Sequence, residues 1–175
     1  DLYVASSIGS VLVAGLLLKD EEGKPKYSAS DILNLFIKHV KPIFYDSWSY
    51  KFTNMWRLLG PKYSANYWKS LLQETFGEAT LEDLLKPTII PVIDTETHKL
   101  IYIDSRDEKY KTMKIYDVLV GATSAPYYFP AHEFTHNETK YCLIDGGISL
   151  NNPGILCYLK AKEHWHTEDC DFNCM

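Results

Sequence analysis

Apolar and polar residues follow one another along the chain in blocks that predict strands and helices in turn. The first block, Leu2-Tyr3-Val4, is typical of a strand, and small residues and the apolar run VLVAGLLL follow it closely. This order predicts a short strand, a tight turn and a buried helix over residues 10–19. The chain therefore opens with a strand–turn–helix unit.

The middle of the chain has the period of helices. Ser28 and Asp31 have the spacing of a capping box, and apolar residues at helical spacing follow them as far as Pro42. Residues 64–77 predict a second helix of this kind, and a shorter one begins at Thr80. Between the helix that follows Ser28 and the helix over 64–77, the aromatic-rich segment 43–63 has no clean period. We therefore interpret this segment as loop and short turns that could form a flap.

The second half of the chain returns to strands. TIIPVIDTETHKLIYID predicts two strands around a polar turn, and Pro91 favours an edge or irregular position in the first. A helix over 115–122, an extended segment TSAPYYFP and a short buried strand YCLIDGG follow. Strands that alternate with helices predict an α/β fold.

Asn152 as cap and Pro153 at the first helical position begin a last helix. Its apolar residues Ile155, Leu156 and Leu159 are expected to face inward. No repeat or linker interrupts the pattern, so we expect residues 1–175 to form a single domain.

Composition narrows the classes of function. A hydrophobic fraction of 46% and a charged fraction of 23% are those of a folded globular protein. The net charge of −5 argues against general attraction to nucleic acid or anionic lipid. The longest apolar run, residues 11–18, is far shorter than the roughly 20 residues of a membrane-spanning helix. We therefore expect a soluble or peripheral membrane protein.

The cysteines favour a reduced protein over a secreted, disulfide-linked one. Four cysteines late in the chain do not form the pattern of a disulfide framework, and the first two lie in apolar segments that suit buried thiols. They are Cys142, Cys157, Cys170 and Cys174.

The turn ASSIGS after the first strand is a candidate nucleophile elbow. In the motif G-x-S-x-G a serine occupies a sharp strand-to-helix turn between small residues. Here Ser7 is the central serine, Ala5 replaces the first glycine and Gly9 is retained. The backbone N–H of Ile8 would lie at a helix N-terminus, where it could donate to an oxyanion. Small residues are common between strands and helices, so this motif needs a second one to support it.

A serine nucleophile needs a base, and two types of residue are candidates. Asp145 ends the strand of LIDGG, where Gly146 and Gly147 permit a tight turn; a turn aspartate bonded to its own backbone is the alternative. His164 and His166 follow it, which gives the chain order Ser, Asp, His of an α/β-hydrolase triad. The residues alone leave both bases open.

Five segments together resemble the patatin-like phospholipases in order and approximate spacing, over most of the chain. They are SSIGSVLVAG, YSASDILNLF, ATLEDLLKPTIIPVID, GATSAPYYFP and YCLIDGGISLNNP. The resemblance implies a three-layer α/β/α fold with a mostly parallel sheet, and a dyad of Ser7 and Asp145 without a histidine. It further implies hydrolysis of acyl esters of glycerophospholipids at a membrane surface through an acyl-serine, with no metal or cofactor in the chemical step.

The sequence departs from the family pattern at three points. Ala5 replaces the usual glycine, TSAPYYFP is one residue shorter than usual, and the glycine-rich oxyanion loop before the nucleophile strand is missing. We therefore expect a partial domain, incomplete at both ends. The alternative is an inactive family member that binds a lipid or a protein partner, and an active one could also require an activating protein.

Two further patterns carry less information. The tail holds His164, His166, Cys170 and Cys174, but their spacing is not that of a zinc finger, so we predict no metal site. A set of aromatic residues could line an acyl cleft or meet a lipid interface, or simply build a core. These are Tyr45, Trp48, Tyr50, Phe52, Trp56, Tyr127, Tyr128 and Phe129.

Overall fold

A computed structural model of the chain describes residues 1–43 and 63–165, except for the side chains of His164 and Trp165. The predicted flap is therefore outside the described residues, apart from Ile43 and Tyr63. The strands are β1 (Tyr3–Val4), β2 (Thr88–Asp94), β3 (Lys99–Asp104), β4 (His132–His136) and β5 (Thr139–Asp145). The α-helices are α1 (Ile8–Leu17), α2 (Ala29–Ile43), α3 (Asn66–Phe76), α4 (Ile115–Ala122) and α5 (Gly154–Trp165).

The α/β class is as expected, but the sheet is mixed rather than mostly parallel. Among the described strands β1 pairs with β2 in parallel, whereas the pairs β2–β3, β2–β5 and β4–β5 are antiparallel. Two hairpins explain the difference. A four-residue turn joins β2 to β3, and a two-residue turn joins β4 to β5. Connections this short require antiparallel strands.

Strand β2 is the centre of this sheet, so Pro91 does not lie in an edge strand but at an irregular position, which is the second of the two predicted alternatives. One edge of β2 pairs with β3 from Ile89 to Asp94. The other edge pairs with β1 at its beginning and with β5 at its end, from Val92 onward. Pro91 lies between these two partners, where the missing N–H of a proline interrupts neither ladder.

The predicted caps at Ser28 and Thr80 and the predicted helix end at Gly77 are confirmed, whereas α1 covers Ile8–Leu17 instead of residues 10–19. Ser28 and Asp31 form a capping box: the Ser28 N–H donates to Asp31 Oδ2 at 2.8 Å, and the Asp31 N–H donates to Ser28 Oγ at 3.2 Å. Thr80 caps a short 3₁₀ turn, Leu81–Asp83, in the same way. Gly77 ends α3 with a φ of 56°, and a positive φ favours glycine.

Helix α4 packs on the sheet against β2, β4 and β5, and α1 and α3 pack against α4. Buried side chains of these helices join Ile90 and Val92 of β2 in a single apolar cluster. Gly15 of α1 lets α2 approach closely, because a Cβ at this position would lie 2.5 Å from Ile32 Cδ1. Among the described helices, none is long and apolar enough to cross a membrane.

Helix α5 begins at Gly154, one residue later than predicted, and buries fewer of its apolar side chains than predicted. The Asn152 side chain accepts a hydrogen bond from the Gly154 N–H at 2.9 Å. Leu156 is buried, whereas Ile155 and Leu159 are exposed, which corrects the prediction that all three face inward. The helix packs against the two-residue strand β1, and such a narrow contact covers one row of side chains rather than a broad face.

Candidate active site

The two sequence motifs meet because β1 and β5 approach each other end to end along the same edge of β2. Strand β1 runs parallel to β2 and β5 runs antiparallel to it, so their carboxyl ends converge on Pro91. A parallel strand and an antiparallel strand on one edge therefore bring together residues that are 138 positions apart in sequence.

Ser7 occupies a strained turn between β1 and α1. Its φ of 52° and ψ of −134° lie outside the regions that a serine normally adopts. The turn is held by its carbonyl oxygen, which accepts hydrogen bonds from the Ser10 N–H at 3.0 Å and from the buried Ser10 hydroxyl at 2.6 Å. A strained backbone supported by its surroundings is typical of functional sites.

The Ser7 hydroxyl donates to Asp145 Oδ2 at 2.5 Å. The other carboxylate oxygen, Oδ1, accepts the Gly147 N–H at 2.7 Å, and the Asp145 N–H donates to the Ser124 carbonyl at 3.1 Å. Asp145 is only 5% exposed, so the carboxylate has little access to water. The aspartate is thus fixed through its backbone and both oxygens, with one oxygen directed at the serine.

The four small residues around the dyad have different steric surroundings. Ala5 has no positive φ, so the alanine in place of the usual glycine is compatible with the turn, and a Cβ at Gly9 would meet only the Ala5 Cβ, at 3.9 Å. A Cβ at Gly146 would lie 2.3 Å from the Pro91 carbonyl oxygen, and one at Gly147 would lie 3.0 Å from Asp145 Oδ1. Close approach therefore requires glycine after the aspartate rather than after the serine.

Ile8 is the first residue of α1, directly after Ser7. The N–H of a first helical residue has no acceptor within its helix, and it lies at the positive end of the helix dipole. This is the position from which it could donate to an oxyanion formed at Ser7.

A cleft of about 390 Å³ opens beside Ser7. Its floor consists of the buried side chains Ile43, Trp68 and Thr123. The Trp68 Nε1–H donates to Thr123 Oγ1 at 2.7 Å, so the indole polar group in the floor is satisfied. A cleft with an apolar lining and few polar groups fits an apolar ligand such as an acyl chain.

The rim of the cleft is exposed and also largely apolar: Ile8, Val40 and Tyr128. Tyr128 comes from TSAPYYFP, which forms a turn rather than the predicted extended segment, since the N–H groups of Tyr128 and Phe129 both donate to the Ala125 carbonyl.

The aromatic residues for which a cleft, a lipid interface and a core were all possible have different positions. Tyr128 and Phe129 line the cleft, Tyr127 is exposed outside it, and Tyr45, Trp48, Tyr50, Phe52 and Trp56 lie outside the described residues. The sequence prediction missed Phe36 and Trp68; both are apolar positions on amphipathic helices, which is a signal shared by every core residue.

The histidines that could replace Asp145 as the base lie in the tail, as do the His and Cys residues whose spacing is not that of a zinc finger. Only the backbone of His164 is described there, and His166, Cys170 and Cys174 are outside the described residues. Within residues 1–43 and 63–165 there is no group of three or more His, Cys, Asp or Glu side chains placed to hold a metal ion.

Comparison with known proteins assigns the chain to a family. The model of the patatin-like phospholipases matches residues 1–155. Patatin-like protein 2 of Oryza sativa subsp. indica is 30% identical over 186 residues, which cover 98% of this chain. Patatin-like protein 4 of Arabidopsis thaliana is 31% identical over 162 residues (89% of this chain), and Patatin-11 of Solanum tuberosum is 31% identical over 181 residues (99%). The chain belongs to the patatin-like phospholipase family, whose members are lipid acyl hydrolases.

The alignments cover 46%, 40% and 45% of these three relatives. The chain thus spans less than half the length of the relatives that it matches.

Proposed function

We propose that this chain holds the nucleophile and base of a lipid acyl hydrolase that cleaves acyl esters of glycerophospholipids. The observation that carries the proposal is the hydrogen bond from the Ser7 hydroxyl to Asp145 Oδ2. It joins a strained serine at a helix N-terminus to a buried carboxylate, which are the parts that an acyl transfer to serine requires. The proposal treats residues 1–175 as part of one catalytic domain.

In the acylation step Ser7 Oγ attacks the ester carbonyl carbon while its proton passes to Asp145 Oδ2. The Ile8 N–H donates to the oxyanion of the tetrahedral intermediate. Collapse of the intermediate breaks the bond to the glycerol oxygen, which takes the proton from Asp145 and leaves as an alcohol. The acyl group remains on Ser7 as an ester.

In the deacylation step the same carboxylate acts again as the base. Asp145 removes a proton from a water molecule as its oxygen attacks the acyl-serine carbonyl, and Ser7 Oγ recovers that proton as the fatty acid leaves. The Gly147 N–H keeps Asp145 Oδ1 occupied throughout, so Oδ2 is the oxygen that exchanges the proton. The cleft floored by Ile43 and Trp68 would hold the acyl chain.

The test is intact-mass analysis of the full-length protein that contains this chain after exposure to a fluorophosphonate, which reports an activated serine without the lipid being known. We expect a single adduct that is absent in Ser7→Ala and forms about 10²–10⁴ times more slowly in Asp145→Asn, the range for loss of a general base. Ser149→Ala is the matched control, because this exposed serine follows the same glycine turn without contacting the dyad.

Two results would contradict the proposal. If the full-length protein is folded and forms no adduct, the alternative of a lipid- or partner-binding module is favoured. If Asp145→Asn is labelled at the normal rate and His164→Ala or His166→Ala is not, a histidine is the base.

A further inference from the structure

Exposed apolar side chains surround the opening of the cleft. They come from three separate elements: the first turn of α1, one side of α2 and the turn after α4. We call this surface the mouth face, and it consists of Ile8, Leu33, Ile37, Val40, Tyr127 and Tyr128.

The mouth face is continuous with the cleft. Ile8, Val40 and Tyr128 belong to both. At 3.6 residues per turn, Leu33 and Ile37 lie within about 60° of Val40 around the axis of α2. The Tyr127 ring packs edge-on against the Tyr128 ring, with centroids 5.3 Å apart. A ligand that enters the cleft therefore crosses this face.

The charged residues of α2 that border the mouth face are lysines. Lys41 lies about 40° beyond Ile37 around α2, and the exposed Lys38 follows further round. No acidic residue occurs in α2 after Asp31, although the whole chain carries a net charge of −5. An apolar stripe with lysines on its border is the pattern of a helix that lies in the interface of an anionic lipid layer.

We propose that the mouth face docks the protein on an anionic lipid surface. The inference rests on the proposed function, because a substrate ester held in a bilayer must pass from the lipid into the cleft. A contiguous exposed apolar patch around a site indicates a binding surface. A second copy of the chain on this face would close the opening of the cleft. A lipid surface on this face would instead deliver substrate to the cleft.

The test measures sedimentation with vesicles of phosphatidylcholine and phosphatidylglycerol, using the Ser7→Ala chain so that no hydrolysis can alter the vesicles. Ile37→Asp should bind about tenfold more weakly, since one apolar side chain leaves the lipid and a charge replaces it. Ile155→Asp on α5 is the matched control: both isoleucines are exposed, at 65% and 75%, but Ile155 is not part of the mouth face. Replacing Lys38 and Lys41 by glutamine should weaken binding only to vesicles that contain phosphatidylglycerol.

Three results would overturn the inference. The first is equal vesicle binding by Ile37→Asp and Ile155→Asp. The second is a melting temperature that falls in Ile37→Asp but not in Ile155→Asp, which would mean that protein covers this side of α2. The third is a dimer of the parent chain that Ile37→Asp dissociates.

The inference and the proposed function fail in distinguishable ways. A chain that reacts with fluorophosphonate at Ser7 but does not sediment with vesicles is a hydrolase without this docking face. A chain that sediments through the mouth face but never reacts at Ser7 is a lipid-binding module.

Discussion

Ser7, the proposed nucleophile, has an unfavourable backbone conformation. A positive φ places the Cβ of an L-residue against its own backbone, at a cost of about 1–3 kcal/mol that glycine avoids. We therefore predict that Ser7→Gly unfolds at a higher temperature than Ser7→Ala. For a chain of this size the difference should be about 2–12 °C, and both variants should lose the fluorophosphonate adduct.

The control for this comparison is a serine in α-helical conformation. Ser70, in the middle of α3, should show the opposite order, with the alanine variant melting above the glycine variant. Equal melting of Ser7→Gly and Ser7→Ala would mean that the turn stores no strain.

The two glycines after Asp145 should separate stability from reactivity. Gly146→Ala would place a methyl group 2.3 Å from the Pro91 carbonyl oxygen, a contact with backbone that side-chain motion cannot relieve. We expect a loss of about 1–3 kcal/mol in the free energy of unfolding, measured in urea. Gly147→Ala instead meets Asp145 Oδ1 at 3.0 Å, so it should mainly displace the carboxylate and slow labelling of Ser7.

The reverse pattern, with Gly147→Ala the less stable variant and Gly146→Ala fully reactive, would contradict this assignment. Gly9→Ala is the neutral comparison for stability, because its methyl group would have only ordinary contact with Ala5.

Ser7 and Asp145 could be found from the sequence because each lies in a local motif whose residue types follow from its geometry. Their supporting residues could not be found in this way. Ser10 bonds the carbonyl of Ser7, and Ser124 accepts the N–H of Asp145 from the far end of α4. A serine that supports a backbone group has no pattern of its own, and the second contact exists only in the folded chain.

Helix α2 is positioned for its role in the cleft by its contact with α1. Gly15→Ala should push α2 outward, because the added methyl group meets Ile32 Cδ1 at 2.5 Å and Ile32 is buried. Ile32→Val removes that carbon and by itself costs about 0.5–1.5 kcal/mol. We predict that the double variant loses less free energy of unfolding than the two single variants lose together. The coupling in a double-mutant cycle should be at least about 0.5 kcal/mol.

This cycle also has a reactivity readout. The outward shift of α2 in Gly15→Ala should change the Val40 side of the cleft and slow labelling by a long-chain fluorophosphonate more than by a short one, and Ile32→Val should restore the ratio. Additive stabilities and an unchanged ratio would mean that the two helices do not depend on this contact.

At the level of elements, local patterns predict the helices and the hairpin of β2 and β3, whereas β4, its hairpin with β5 and the pairing of distant strands are not predicted. The capping box at Ser28 and the polar turn after Asp94 act within a few residues, so the sequence records them. Pro91 predicts an edge or irregular position because a central strand normally needs every N–H. Its place in the gap between β1 and β5 depends on segments far away in the chain.

Across the whole molecule, the order of strands and helices was enough to predict the α/β class, but not the mixed sheet or the surface that each helix presents. Helix α2 has an apolar side that the sequence pattern assigns to a core, yet Leu33 and Ile37 are exposed beside the cleft. Amphipathicity predicts that one side of a helix is covered. It does not distinguish cover by protein from cover by a ligand or a lipid surface.

The free energy of unfolding should fall in acid, because two carboxylates make their ion pairs and hydrogen bonds best when they are charged. Burial disfavours the charged form of Asp104, but hydrogen bonds and the positive charge of Arg106 outweigh it and hold the pKa of Asp104 below its usual value. The pKa of Asp83 is lowered in the same sense: partial burial opposes the charge, and hydrogen bonds from Thr80 and Lys19 outweigh it. A lowered folded-state pKa contributes stability that is fully present above the unfolded value, about 3.9 for aspartate, and is lost as the pH falls toward the folded value.

We therefore predict that Arg106→Gln is less stable than the parent chain at pH 7, by about 1–2 kcal/mol, and that this difference shrinks as the pH falls from about 5 to 3. Urea unfolding at a series of pH values measures it. Lys24→Gln is the control, since Lys24 pairs with Glu22 at a site where both side chains are more than 70% exposed, and an exposed pair adds little at any pH. If the stability difference between Arg106→Gln and the parent stays constant down to pH 3, the charge of Asp104 does not contribute to that difference. A protonated Asp104 cannot keep its ion pair with Arg106, so a contribution from the charge would have to decrease in acid.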